Sequence, residues 1–181
     1  IDRDRPFPDA LNMMGILYEE GLGVEKDKQM ALSFYQRAHD LGVRDATFNL
    51  ANAYRHMTGK ERDLSKSIEL FTNCAERGDI QAILELAAIY DPDSDFDGVI
   101  PDRGKAIEFY KMAALTRSYE AEYNLAYLLN LEDRNQEAAF YAARAVLNLN
   151  AIPKEQADAA QLLGVVLQDD INANGGRSRL A

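Results

Sequence analysis

The chain of 181 residues sets 30 acidic against 20 basic side chains, for a formal net charge of −10 and a pI near 4.7. That balance excludes a nucleic-acid or anionic-membrane surface, since either needs a clustered basic face, and it makes a basic partner the natural complement. Hydrophobic residues are 47% of the chain, with 9 Tyr and 7 Phe, enough for a well-filled core, yet no apolar run reaches the ~18 residues that span a bilayer.

Residues 1–8, with Pro6 and Pro8, read as an extended lead-in. Ala10, Met14, Leu17 and Tyr18 then share one helical face beside the small Gly15, so a second helix can approach closely there. Gly21 and Gly23 end that helix, and Asp27 stands where an N-cap is wanted for a second one marked by Ala31, Phe34, Tyr35 and Ala38. The span 9–43 is therefore a helical hairpin.

The same pattern recurs along the chain. Gly15 reappears as Ala51, Ala87, Ala126 and Gly164, at intervals of 36, 36, 39 and 38 residues. Three places on stand Tyr18, Tyr54, Tyr90, Leu129 and Leu167. In the second helix, Ala31 maps to Ser67, Ala106 and Ala138, and Ala38 to Cys74, Ala113 and Ala145; Asp27, Asp63 and Asp102 repeat the cap. A fixed period at several independent positions announces a helical repeat. Further hairpins are expected over 44–79, 80–118 and 119–150. A capping helix over 153–169 should open at Pro153, where the missing N–H costs nothing. Asp158, Gln161, Gln168 and Asp169 give it a polar side, as the last helix of an open stack requires. Residues 170–181, with Gly175-Gly176, read as a disordered tail.

These registers resemble the Sel1-like repeat, a relative of the tetratricopeptide repeat with a longer loop between its two helices. The match is closest from Ala10 to Gly42 and covers about residues 9–169, weakening where the third unit carries a three-residue insertion and the fourth a short loop. The resemblance implies an all-α, right-handed superhelical solenoid of about four hairpins plus a C-terminal capping helix. It also implies a protein–protein interaction scaffold or adaptor with no cofactor and no catalytic site, as in substrate-recruiting subunits of membrane ubiquitin ligases, chitin-synthase activators and bacterial host-interaction factors. The alternative is a regulatory module of an enzyme carried elsewhere in the parent chain. A start at Ile1 rather than Met makes the chain read as a piece of a longer protein.

Little in the sequence speaks for chemistry. His39 and His56 sit in different units without metal-ligand spacing, and no Gly-rich phosphate loop or nucleophile elbow is present. The single Cys74 can form no internal disulfide, and its small-residue core position makes it a buried, unreactive thiol; the lack of cysteine pairs leans towards a reducing compartment. Asp93, Asp95, Asp97 and Gly98 fit positions 1, 3, 5 and 6 of a calcium loop, but Gly104 stands where a bidentate carboxylate belongs. The same segment reads equally as inter-helix loop and cap, since Gly98, Val99 and Asp102 align with Gly23, Val24 and Asp27.

In stacks of the resembled kind the first helix of each hairpin lines the concave side. Counting three before the small residue, one after and four after selects Asn12, Ile16 and Glu19, then Phe48, Asn52 and Arg55. The third unit offers Leu84, Ala88 and Asp91, and the fourth Tyr123, Tyr127 and Asn130. Phe48, Leu84, Tyr123 and Tyr127 would form an apolar stripe flanked by polar groups, a composition suited to the core of a peptide-binding interface.

Overall fold

The computed structural model describes residues 7–57, 62–94 and 98–177, with side chains to residue 173. Among them lie nine helices and no strand: α1 Pro8–Glu20, α2 Lys28–Asp40, α3 Arg44–His56, α4 Leu64–Glu76, α5 Ile80–Tyr90, α6 Arg103–Ala114, α7 Tyr119–Asn130, α8 Asn135–Val146 and α9 Pro153–Arg177. The fold is the expected all-α helical repeat. Its helices form two compact units, the first reaching Leu86 and the second running on from Ala87, with Gly98 and Val99 belonging to the first.

Local sequence sets each hairpin. Asp27 accepts from the amides of Gln29 and Met30, Asp63 from Lys66 and Asp102 from Lys105, so orphan donors at three helix starts are satisfied by one residue type at one register. The same aspartates close the loops from their own backbones: the N–H of Asp27, Asp63 and Asp102 donates to the carbonyl of Tyr18, Tyr54 and Tyr90, at 2.9, 3.3 and 2.9 Å. The three extra residues of the third loop are thus absorbed without changing how its ends meet. Asp102→Ala should lower stability by about 1 kcal/mol through the lost side-chain cap, read as a lower urea midpoint at unchanged slope.

In the first unit the small position is a true helix crossing. A Cβ added to Gly15 would lie 2.4 Å from the Tyr35 ring, so only glycine lets α2 seat on α1. Tyr35 is fully buried and donates its hydroxyl to Glu19 at 2.6 Å. Leu11, Ala38 and Ala46 form a buried cluster against which Phe34 and Val43 pack, and Phe34 stacks on Tyr18 at 5.5 Å. Ala31, Ala51, Ser67, Phe71 and Cys74 are buried as the register requires, and burial pushes the Cys74 thiol pKa up, which keeps it protonated and inert.

The second unit repeats the scheme with Tyr90 stacked on Phe109 at 6.1 Å and Ala106, Tyr110, Ala113, Ala126, Leu129, Ala138 and Ala145 buried. It departs from it at Glu122, which is fully buried although the other repeats carry Leu11, Thr47 or Ile83 four places before the small residue. Arg144 and Arg117 reach Glu122 Oε1 at 2.8 and 3.2 Å. Arg144 also donates to the Ala114 carbonyl at 2.8 Å, and Asn148 donates to the Arg117 carbonyl at 2.7 Å. Arg117 holds φ +61° where the two earlier inter-repeat turns have Gly42 and Gly78 at +84°. Its ion pair and backbone bonds offset the strain that a left-handed arginine carries.

Three expectations at the chain's ends are corrected. Pro8 is the first residue of α1 rather than part of a lead-in, because its fixed φ and missing N–H suit that position; residues 1–6 lie outside the described residues. The last helix continues to Arg177 instead of stopping at Asp169, so 170–177 are helical and 178–181 lie outside the described residues. No proline interrupts that stretch, Gln168 donates across one turn to Asn172 at 3.1 Å, and Gly175-Gly176 weaken a helix without vetoing it. Finally, Gly164 is no crossing point: it is exposed, with nothing within 4 Å of an added Cβ. The buried face of α9 is Ala159, Leu162 and Val166 instead, on a helix that packs chiefly against α8 and also touches α7.

Candidate interaction surface

The residues expected to line a groove have different fates, and most are half-buried. In the first unit Asn12 accepts from Asn49 of α3 at 2.9 Å, Glu19 is taken by the Tyr35 hydroxyl and Arg55 is paired with Glu85 of α5. Asn12 and Arg55 therefore tie successive first helices together, while Glu19 ties α1 to α2 within its own hairpin. Phe48 packs its edge on Phe71, with centroids 5.5 Å apart, and Ile16 and Asn52 are half-buried beside their own helices. Leu84 is only 7% exposed and offers no surface, which corrects its place in the stripe. It sits one turn before Ala87 on a helix whose apolar residues run almost continuously, and that helix is buried on more than one face.

In the second unit the expected residues belong to a longer row. Tyr119, Tyr123 and Tyr127 fall at four-residue spacing on α7 and so share one face. Tyr119 stacks on Tyr123 at 5.8 Å and donates to the Glu155 carbonyl of α9 at 2.8 Å; burial, then the neighbouring Tyr123, pushes its pKa up to about 12. Tyr127 is 38% exposed, and its hydroxyl pKa is raised, chiefly by a hydrogen bond to Asp93. Asp91 accepts from the Tyr110 hydroxyl at 3.3 Å and from the Asp93 amide at 3.0 Å. Ala88 is half-buried, and Asn130 donates to Asp169 of α9 at 3.4 Å, another tie between first helices.

Tyr119 lies seven residues before Ala126 and so outside the three register positions that mark the groove, although its four-residue spacing from Tyr123 is legible in the sequence. The ties Asn12–Asn49, Arg55–Glu85 and Asn130–Asp169 join residues 30 to 39 apart and leave no local trace.

Of the calcium-loop candidates, Asp95 and Asp97 lie outside the described residues, and Asp93 is engaged with Tyr127 and Asp91. Among the described residues no group of three or more His, Cys, Asp or Glu side chains could hold a metal ion, and no helix is long and apolar enough to cross a membrane.

Comparison with known proteins agrees with this architecture. The Sel1 repeat pattern matches residues 8–43, 44–79, 80–115 and 120–141. A Sel1 repeat protein from Oxalobacter formigenes superposes with a TM-score of 0.67 at 29% identity, over 87% of this chain and 62% of that one. The protective antigen c5321 of uropathogenic Escherichia coli, described as an SLR fold, gives 0.62 at 20% identity over 96% and 48%, a likeness of fold alone. In sequence, 107 residues are 29% identical to chitin synthase regulatory factor 3 of Schizosaccharomyces pombe, covering 56% of this chain but 11% of that relative. The chain thus spans under two thirds of each of these proteins. Sel1 repeats are helical scaffolds that act as protein–protein interaction modules.

Proposed function

Because the chain belongs to the Sel1 repeat family, we propose that it is a non-catalytic adaptor that holds a basic peptide segment along the tyrosine row of α7. The observation that carries this reading is Tyr127, an aromatic left 38% exposed with Asp93 bonded to it and Asp91 beside that. Aromatic rings supply contact area at low entropic cost, and acidic neighbours draw Lys and Arg. In the first unit Phe48, with Ile16 and Asn52, offers a second, shallower contact for the same class of partner. The name of the fission-yeast relative, a regulatory factor for an enzyme, supports a partner that is itself an enzyme or its anchor.

The test is a photocrosslinking amino acid placed at Tyr127, followed by identification of the attached protein. Binding of that partner should then fall about 30-fold, or about 2 kcal/mol, in Tyr127→Ala if the residue is a hot spot. Raising salt from 50 to 300 mM should weaken it too, because the charges are exposed. Full affinity in both Tyr127→Ala and Phe48→Ala, with circular dichroism unchanged, would move the interface elsewhere.

A further inference from the structure

In the first unit a cavity of about 370 Å³ opens between α2 and α4, lined by His39, Glu69, Leu70, Thr72, Asn73 and Glu76. Both helices lie within the described residues, as does α3, which packs on each of them. No absent neighbour in the repeat series therefore accounts for the opening. Glu69, Thr72, Asn73 and Glu76 follow one another at spacings of three, one and three, so they share one face of α4. His39 closes the cavity from the last turn of α2.

The polar groups of this cavity accept more than they donate. The Thr72 hydroxyl gives its proton to the Ile68 carbonyl at 2.7 Å, which leaves its oxygen as an acceptor. The Thr47 hydroxyl is placed to donate to the Val43 carbonyl at 3.3 Å. His39 Nδ1, 2.9 Å from the Thr47 oxygen, then carries the ring proton, and Nε2 is the bare acceptor. Asn73 alone brings donors as well as an oxygen. The lining holds two carboxylates and no lysine or arginine. Lys66, one turn before Glu69, lies over the Tyr54 ring at 4.7 Å, and Arg77, next to Glu76, lines a different cavity with Arg44. The floor is Leu70, 7% exposed.

We propose that this cavity receives arginine side chains from an extended segment of a partner protein, on a surface separate from the tyrosine row and independent of it. Arginine matches the lining in three ways. It brings five N–H donors and no acceptor to a set of groups that needs donors. Its charge complements Glu69 and Glu76, with which a guanidinium forms paired, charge-assisted hydrogen bonds. Its methylene stem covers an apolar floor while the head stays at the polar rim. Spacing selects a segment rather than a single ion: Glu69 and Glu76 are seven residues apart, roughly 10 Å along the helix axis, too far for one cation to touch both. Two arginines three positions apart on an extended chain span about the same distance.

The probe is the blocked peptide acetyl-Gly-Arg-Ala-Ala-Arg-Gly-amide, titrated into the ¹⁵N-labelled full chain and followed by NMR. Saturable shifts are expected at the Asn73 side-chain amide and the His39 ring nitrogens. Glu76→Gln should raise the Kd at least about tenfold, and a lysine version of the peptide should bind more weakly to the unaltered chain. Glu25→Gln, which removes the same charge from an exposed position outside the cavity, and Tyr127→Ala should leave the Kd within about twofold. Glu76 is itself exposed, so a melting temperature equal to the parent's excludes misfolding as the cause. Absence of saturable shifts at His39 and Asn73 overturns the proposal. An equal loss in Glu25→Gln also overturns it, since the attraction would then be non-specific. Tighter binding of spermidine than of the peptide does so as well, because a small polyamine would then be the occupant.

Discussion

Replacing Arg144 by alanine should destabilise the second unit by about 3–5 kcal/mol, because it leaves a buried carboxylate short of its nearer positive partner. Glu122 is fully buried, with Arg144 at 2.8 Å and Arg117 at 3.2 Å. Arg117 is the more exposed of the two, its side chain 46% accessible against 23%, so it compensates less once Arg144 is gone. The substitution also frees the Ala114 carbonyl and strips a cation from the faces of Phe140 and Tyr141, 5.5 and 5.6 Å from their centroids. The double change Glu122→Leu with Arg144→Met should recover most of the loss, since an apolar replacement of a buried ion pair is commonly neutral or better and Leu11 and Ile83 hold the equivalent position elsewhere. Thermal melts of the three variants decide it. A single Arg144→Ala melting within a degree or two of the parent would show that Glu122 reaches water.

Tyr35→Ala should cost about 3–5 kcal/mol, the usual range for a fully buried aromatic whose site cannot collapse. Gly15→Ala should also destabilise, by about 1–3 kcal/mol, although alanine is the better helix former by about 1 kcal/mol. The reason is that its Cβ would sit 2.4 and 2.5 Å from two atoms of the Tyr35 ring. Combined, the two changes should not add. With the ring gone, the methyl group at position 15 enters the space the ring left, and Gly15→Ala becomes neutral or stabilising in the Tyr35→Ala background. A double-mutant cycle measures that sign change directly. Additive costs would mean that the two side chains do not meet.

The two substitutions differ in how far they were visible beforehand. Gly15, Tyr35 and their equivalents were legible as a pattern, because a helix crossing needs a small residue at one place and four repeats put Gly or Ala there. Glu122 departs from Leu11, Thr47 and Ile83 at the equivalent register as the one charged residue among the four. What the sequence could not say is that Arg117 and Arg144 answer it, because the charges meet only after α6, α7 and α8 have packed.

The sequence by itself determined the elements. Capping at Asp27, Asp63 and Asp102, glycines at the inter-repeat turns and the period of the small residues are local or strictly periodic signals, and the helices follow from them. Tertiary structure decided the surfaces. Asn12, Arg55 and Asn130 looked like free polar rim and are instead tied to the next first helix, while Leu84 looked like a contact residue and is core. A helical wheel assigns residues to faces, but whether a face is open depends on which neighbouring helices exist, a fact stored nowhere in the helix itself. The last helix shows this most clearly. Gly164 and Leu167 carry the register of a buried interface, and they stand in solvent because no helix among the described residues covers them.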